Sequence, residues 1–362
     1  MQKPSILVTG ATGKTGTPTA LMLLQKGYAV RALVHKKDAR SAALQTAGAD
    51  IVAGSLEDPV DVRGAMKGVQ RAYFCPPLEP GSLRRAAIFA EAAEEARLEA
   101  IVALSQWLVG RTHLSIHARE KYLAETMFRW AASVGVITIN PGWFADNYMA
   151  ALEPISQFGL MALPLGSGLN APPSNSDIAK VIVGTLVDPA PYIGKTFRPT
   201  GPKLLSPEEI AFTFGKVLGR KVRYQDAPMS LFLKFGKSIG LSDFVLTQLY
   251  FFLLDYQRGS FGVGAPTDTV RIVGGAEPQD FETIVRHYVA QSPFAKRTMA
   301  LAAEAAFNIA RALTTPAPDL DALAQRLNIP SIPHATLAAD STSWHGSHIQ
   351  GDSTVAAAAP SS

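Results

Sequence analysis

Through the first 140 residues, short apolar runs alternate with longer stretches in which apolar residues recur every three or four positions. The runs at residues 5–8, 28–34, 51–53, 71–74, 100–104 and 136–139 predict strands buried on both faces. The stretches at 17–26, 39–47, 59–66, 82–97 and about 115–133 have helical spacing. In the first of them Ala20, Leu21, Leu23 and Leu24 are the inward residues. This alternation predicts an α/β fold, a doubly wound parallel sheet with helices on both faces, over residues 1–150. In such a sheet ligands gather at the carboxyl ends of the strands. Turn residues cluster at those ends: Gly54-Ser55-Leu56, Cys75-Pro76-Pro77, Ser105-Gln106-Trp107 and Asn140-Pro141-Gly142.

After Asn147 the rhythm breaks, and proline and glycine become frequent between residues 154 and 202. Helical patches at 176–186, 207–218 and 280–290 predict a smaller mixed region over 151–294 that binds substrate and caps the cleft. The apolar stretch 244–254 is too short to span a bilayer and reads as a buried or groove-lining helix. An Ala-rich amphipathic helix at 296–313 opens a helical extension over 295–330. Composition then turns to Pro, Ala, Ser and Thr, which predicts a disordered tail over 331–362. His334, His345 and His348 in this tail read as solvated, and no metal site is expected.

The motif VTGATGKTG occupies residues 8–16, between the first strand and the first helix. Gly10 permits a tight turn, Gly13 lets backbone approach a phosphate, and Gly16 lets the helix pack on the strand. The helix start offers free N–H groups and a positive dipole end to an anion. Gly10, Thr12, Gly13, Lys14, Thr15 and Gly16 are therefore candidate contacts to a dinucleotide pyrophosphate. The end of the second strand selects which dinucleotide. No Asp or Glu precedes Asp38, and the strand ends in His35-Lys36-Lys37, with Arg31 inside it and Arg40 beyond. A ribose 2′-phosphate wants cations there and a carboxylate would repel it, so the reading is NADP(H).

Bulk composition narrows the partners. With 362 residues and 47% hydrophobic content, the chain can bury a large core. Its formal net charge of +4 does not demand nucleic acid. The one cysteine, Cys75, excludes an internal disulfide and fits a reducing, cytoplasmic setting. No signal peptide is read at the start, and no membrane partner is expected.

Taken in order, VTGATGKTG, VRALVHKKDAR, GSLEDPVDVRGAMKGV, FCPP, ALSQW, HAREKYLAE, NPGWFADNY, SDIA and TGPKLLSPEEIA resemble the NmrA-like group of atypical short-chain dehydrogenases/reductases. The resemblance covers roughly residues 4–290. It implies a Rossmann-type domain with a small C-terminal substrate region, bound NADP(H), and either quinone-type reductase activity or a redox-sensing regulatory role. Ser55, Leu56, Cys75, Pro76, Pro77, Ser105, Lys121, Pro141, Gly142, Trp143 and Phe144 are further candidate cofactor contacts. Three departures stand out. His117-x-x-x-Lys121 takes the place of the Tyr-x-x-x-Lys of the superfamily. Ser55 stands where an Asp is common, and Asn140 stands where Arg often precedes Pro-Gly.

His117 and Lys121 are one helical turn apart. Lys121 is a candidate for holding the nicotinamide ribose, and His117 for passing a proton to a substrate oxygen. Glu125, a further turn along, is a candidate to orient Lys121. Trp107, Trp143, Phe144 and Tyr148 follow strand ends and read either as a stacking surface for a flat acceptor or as core. Cys75 reads as a small buried thiol. Two functional readings remain open. One is NADPH-dependent reduction of a quinone or related conjugated carbonyl, a chemistry that tolerates the missing tyrosine. The other is a non-catalytic NADP(H) sensor docking a regulatory partner through the helices at 244–254 and 296–313. Those helices read equally as core or as a homodimer contact. Sugar-nucleotide epimerase chemistry ranks last, because it leans on the missing tyrosine.

Overall fold

A computed structural model describes residues 3–131 and 133–350. The first half follows the predicted alternation: β1 (Ile6–Thr9), α1 (Gly16–Gln25), β2 (Val30–Val34), α2 (Ala39–Thr46), β3 (Asp50–Ala53) and α3 (Pro59–Met66). Next come β4 (Arg71–Phe74), α4 (Ser82–Glu95), β5 (Ala100–Leu104), α5 (Ile116–Trp130) and β6 (Gly135–Ile139). The chain goes on through α6 (Leu152–Phe158), β7 (Leu160–Leu163), α7 (Asn175–Val187), β8 (Thr196–Phe197), α8 (Pro207–Leu218) and β9 (Arg223–Asp226). The remaining helices are α9 (Met229–Ser238), α10 (Asp243–Gln257), α11 (Thr269–Ile272), α12 (Phe281–Gln291), α13 (Met299–Thr314), α14 (Leu320–Arg326) and α15 (Thr342–Gln350).

Seven strands form one parallel sheet in the order β3-β2-β1-β4-β5-β6-β8. Strand periodicity sends alternate residues to opposite faces. Ile6, Val8, Tyr73, Val102 and Ile137 meet Ala20 and Leu23 of α1 and Ile178 and Ile182 of α7 on one face. Leu7, Ala72, Phe74, Ile101 and Val136 meet Val62, Phe89, Ala124 and Phe128 of α3, α4 and α5 on the other. The helix expected at 176–186 does not belong to the capping region. It lies in the sheet's own core, and β8 extends the sheet beyond β6. A boundary at residue 150 therefore cuts through this unit, because the crossover that covers α1 comes from beyond it.

A second core sits past the carboxyl ends of β5 and β6. Trp107, Trp143, Tyr148 and Ile155 pack there with Phe214, Leu253, Tyr256 and Phe281. The stretch expected at 244–254 is α10, with Phe244, Leu246 and Leu253 buried. In α13 only Ala305 and Ala312 are buried. No helix among the described residues is long and apolar enough to cross a membrane.

The expectation of a disordered tail is corrected over residues 336–349. Trp344 and His348 of α15 are buried against Trp107. Low-complexity composition hid this, because two aromatic side chains a turn apart are enough to dock a short helix onto an existing core. Residues 351–362 lie outside the described residues.

Candidate functional site

The glycine turn between β1 and α1 is crowded on three sides. Gly10 adopts φ +58°, and a Cβ on it would lie 2.8 Å from the Cys75 carbonyl oxygen. The Gly13 N–H donates to the Gly10 carbonyl at 2.9 Å. A Cβ on Gly16 would lie 2.1 Å from that same carbonyl. The expected role of Gly16 is corrected here: it lets α1 pack on the turn itself, not on the strand. The N-cap residue Thr15 makes no side-chain cap, and no acid occupies the first turn. Its hydroxyl instead meets the Tyr73 phenol at 2.9 Å. The positive end of α1 is thus left for an anion. Thr12 is partly buried and Gly13 is exposed beside it. Lys14 reaches across the cleft and pairs with the buried Asp146 at 2.5 Å.

His35, Lys36 and Lys37 are exposed just past β2. Asp38, the nearest acid, caps α2 by accepting from the Arg40 and Ser41 N–H groups. Its carboxylate also pairs with Arg40 at 2.7 Å. Arg31 belongs to the other end of the sheet and is corrected as a candidate phosphate cation. Its guanidinium is taken by Asp50 at 2.7 Å and by the carbonyls of Ala65 and Lys67. Ser55 lies in the turn after β3, its N–H held by Asp61 at 2.9 Å, with Leu56 partly buried next to it. Cys75, also partly buried, donates its N–H to Thr9 Oγ1 at 2.8 Å, and Pro76 and Pro77 lead outward from it.

The polar residues of α5 face the carboxyl ends of β5 and β6. Lys121 is buried and donates to the Leu104 carbonyl at 2.8 Å. Burial lowers its pKa to about 8, against opposing pulls from Cys75, Glu125 and Glu120. It makes no ion pair with Glu125, so the expected orienting role of Glu125 is corrected. Glu125 accepts from Asn140 Nδ2 at 3.2 Å and lies beside Ser105. Burial pushes the Glu125 carboxyl up.

Burial, reinforced by Lys121 and Arg85, drives the His117 pKa well below its usual value. That shift favours the neutral ring and works against the expected proton-passing role of His117. Its Nδ1 is buried without a hydrogen-bond partner among the described residues. Asn140 Oδ1, Gln106 Nε2, Trp143 Nε1 and Asp146 Oδ1 share that condition. They cluster after β5 and β6, where buried polar groups left open point to a ligand.

Of the four aromatic candidates, Trp107, Trp143 and Tyr148 are core. Trp107 donates its indole N–H to Ser260 O at 2.9 Å. Tyr148 is held by Tyr256 at 2.7 Å and Asn170 at 2.9 Å. Trp143 packs edge-on to Tyr256 and Phe261. Phe144 is partly buried, and Pro141 and Gly142 are buried beneath the pair. Sequence reasoning missed Tyr73, Arg85 and Asp146. Arg85 is buried between Glu57 at 2.8 Å and Glu79 at 3.2 Å. A cavity of about 330 Å³ is lined by Ser167, Leu204, Gln257 and Arg258.

Strand order, glycine turn and cleft together define a Rossmann-type α/β protein. Residues 2–260 match the model of the NmrA-like family, and the chain belongs to that family. The NAD(P)H azoreductase of Xenophilus azovorans is 29% identical over 220 residues, covering 60% of this chain and 76% of the relative. The structure of an NADPH-dependent quinone oxidoreductase from Escherichia coli, complexed with NADPH, superposes with a TM-score of 0.68 at 23% identity, over 78% of this chain and 99% of that one. The negative transcriptional regulator NmrA in complex with NADP superposes with a TM-score of 0.66 at 18% identity, over 79% of this chain and 95% of that one.

Proposed function

We propose that this protein is an NADPH-dependent oxidoreductase that reduces a quinone or related conjugated carbonyl. The observation that carries the reading is the uncapped start of α1 behind a turn in which Gly10 and Gly16 leave no room for a Cβ. That is the cradle a diphosphate requires. Gly10 to Gly16 hold the diphosphate, and His35, Lys36 and Lys37 hold the 2′-phosphate while Asp38 is kept in its cap. The cofactor, when bound, supplies a hydride. Lys121, still mostly charged at neutral pH, positions the nicotinamide ribose and offers a proton or positive field to the acceptor oxygen. His117 contributes its open Nδ1 as a neutral hydrogen-bonding group. Trp143 and Phe144 form the aromatic side of the acceptor pocket. The azoreductase and quinone oxidoreductase relatives support an acceptor of this conjugated type.

A sensor function is the second reading. It is favoured by the absence of a tyrosine donor and by α13, which leaves Met299 92% and Phe307 66% exposed. Incubating the purified protein with NADPH and a panel of quinones, while following nicotinamide absorbance, separates the two. Turnover that vanishes in Lys121→Ala, with cofactor affinity still measurable, is the expected result. Tight NADPH binding with no oxidation by any acceptor overturns the reductase reading.

A further inference from the structure

The stretch between β5 and α5 carries Ser105 and Gln106 at one end and leads to His117 and Lys121 at the other, yet it contains no regular element from residue 105 to 115. What holds it comes mostly from far along the chain. The Trp107 carbonyl accepts from Trp344 Nε1 at 3.2 Å, and His348 Nε2 lies 3.0 Å from the same oxygen while its Nδ1 lies 3.1 Å from the Trp344 carbonyl. The Trp107 N–H donates to Pro141 O at 3.1 Å, so the same residue ties down the turn after β6. The Trp344 and His348 rings stack at 3.9 Å. Further back, Thr336 pairs with the stretch as a short parallel bridge, donating to Thr112 O at 2.9 Å and accepting from Leu114 N at 3.0 Å. His113 Nδ1 accepts from the Ser115 N–H at 2.9 Å, which leaves its Nε2 proton for Asp255 at 2.8 Å. The other oxygen of Asp255 accepts from the Ala339 N–H at 2.9 Å.

We infer that residues 336–349 form a strap that positions the loop from β5 to α5, and through it the acceptor side of the cleft. Trp344 and His348 act as positioning residues through the Trp107 carbonyl. The inference rests on the reductase reading for its kinetic consequence only. The strap lies outside residues 2–260, the part matching the family model. Its hydrogen bonds go to the loop after β5 and to α10, not to the glycine turn or the end of β2. It should therefore act on the acceptor and not on cofactor binding. An aromatic pair is well suited to holding a loop, since it buries a large rigid area at low entropic cost, and the Trp344 indole N–H is fixed on the Trp107 carbonyl.

The test uses the full chain with Trp344→Ala/His348→Ala and with the milder Trp344→Phe, which keeps an aromatic ring against His348 but lacks the indole N–H. Three quantities are read: NADPH affinity, steady-state kinetics with a quinone, and hydrogen exchange. In the double variant we expect kcat/KM for the acceptor to fall about tenfold, mainly through KM, while the NADPH Kd stays within about twofold. Exchange should quicken at residues 105–115 and stay unchanged at 6–40, with Trp344→Phe intermediate. Unchanged acceptor kinetics, or cofactor affinity and acceptor kinetics lost together, overturns the inference. If the wild-type protein oxidises no NADPH with any acceptor, the reductase reading fails and hydrogen exchange alone decides. Faster exchange confined to 105–115 then sustains the strap, and unchanged exchange or loosening throughout the sheet removes it.

Discussion

The Lys121 ammonium donates a 2.8 Å hydrogen bond to the Leu104 carbonyl at the carboxyl end of β5, with its side chain buried. Burial brings its pKa down from 10.5 to about 8. Between those two values the unfolded chain binds more protons than the folded one, so this group makes stability rise with pH across that window. Below pH 8 the whole penalty is present. Lys121→Met should thus make the cofactor-free protein more stable at pH 7, on the order of 2 kcal/mol after a loss of roughly 1 kcal/mol for the stranded carbonyl. The advantage should shrink as pH approaches 10. Denaturant unfolding at both pH values measures it, and a variant less stable than wild type at pH 7 contradicts the burial penalty.

Gly16→Ala places a methyl group 2.1 Å from the Gly10 carbonyl, so the turn and the helix start must separate. NADP(H) affinity should drop at least about tenfold, with a stability loss of about 1–3 kcal/mol from the overpacking. Gly64 in α3 serves as a control, since nothing lies within 4 Å of its added Cβ. Gly64→Ala should stabilise the protein by about 0.5–1 kcal/mol through helix propensity and leave affinity unchanged. Calorimetric titration together with thermal melting distinguishes the pair.

On the proposed reading, the exposed cations past β2 set the coenzyme preference. Reversing two of them in Lys36→Glu/Lys37→Glu should cost NADP(H) at least about tenfold in affinity and leave NAD(H) within about twofold. The wild-type preference should weaken with added salt, because these side chains are solvent-facing. Equal affinities for both coenzymes in wild type would remove the assignment of a 2′-phosphate site.

His113 and Asp255 form a buried pair joining the β5–α5 loop to α10. His113→Ala strands a buried carboxylate oxygen and the Ser115 N–H together. A destabilisation of about 3 kcal/mol or more is expected, seen as a lower melting temperature. A shift equivalent to less than about 1 kcal/mol would mean that the loop is held without this pair.

Local signals made the sheet and the cradle legible. Arg71–Phe74 and Ala100–Leu104 coincide residue for residue with their predicted runs, because a strand buried on both faces writes a continuous apolar run between turns. Thr196–Phe197 has only two residues, and Arg223–Asp226 is largely exposed, so neither leaves a periodic trace. His117 was legible as a residue but not as a neutral one. Its charge depends on burial and on Lys121 and Arg85, and Arg85 comes from a different helix.

The amino-acid sequence by itself determined the strand–helix alternation, the glycine turn and the basic end of β2, because each depends on neighbours within a few positions. Tertiary structure alone decided the rest. It turned Arg31 to the far end of the sheet, gave Lys121 to a carbonyl instead of Glu125, and brought Trp344 and His348 onto Trp107. Those last two contacts span 237 and 241 positions along the chain. Burial and pairing at such separations follow from how packed elements share space, and no local pattern encodes that.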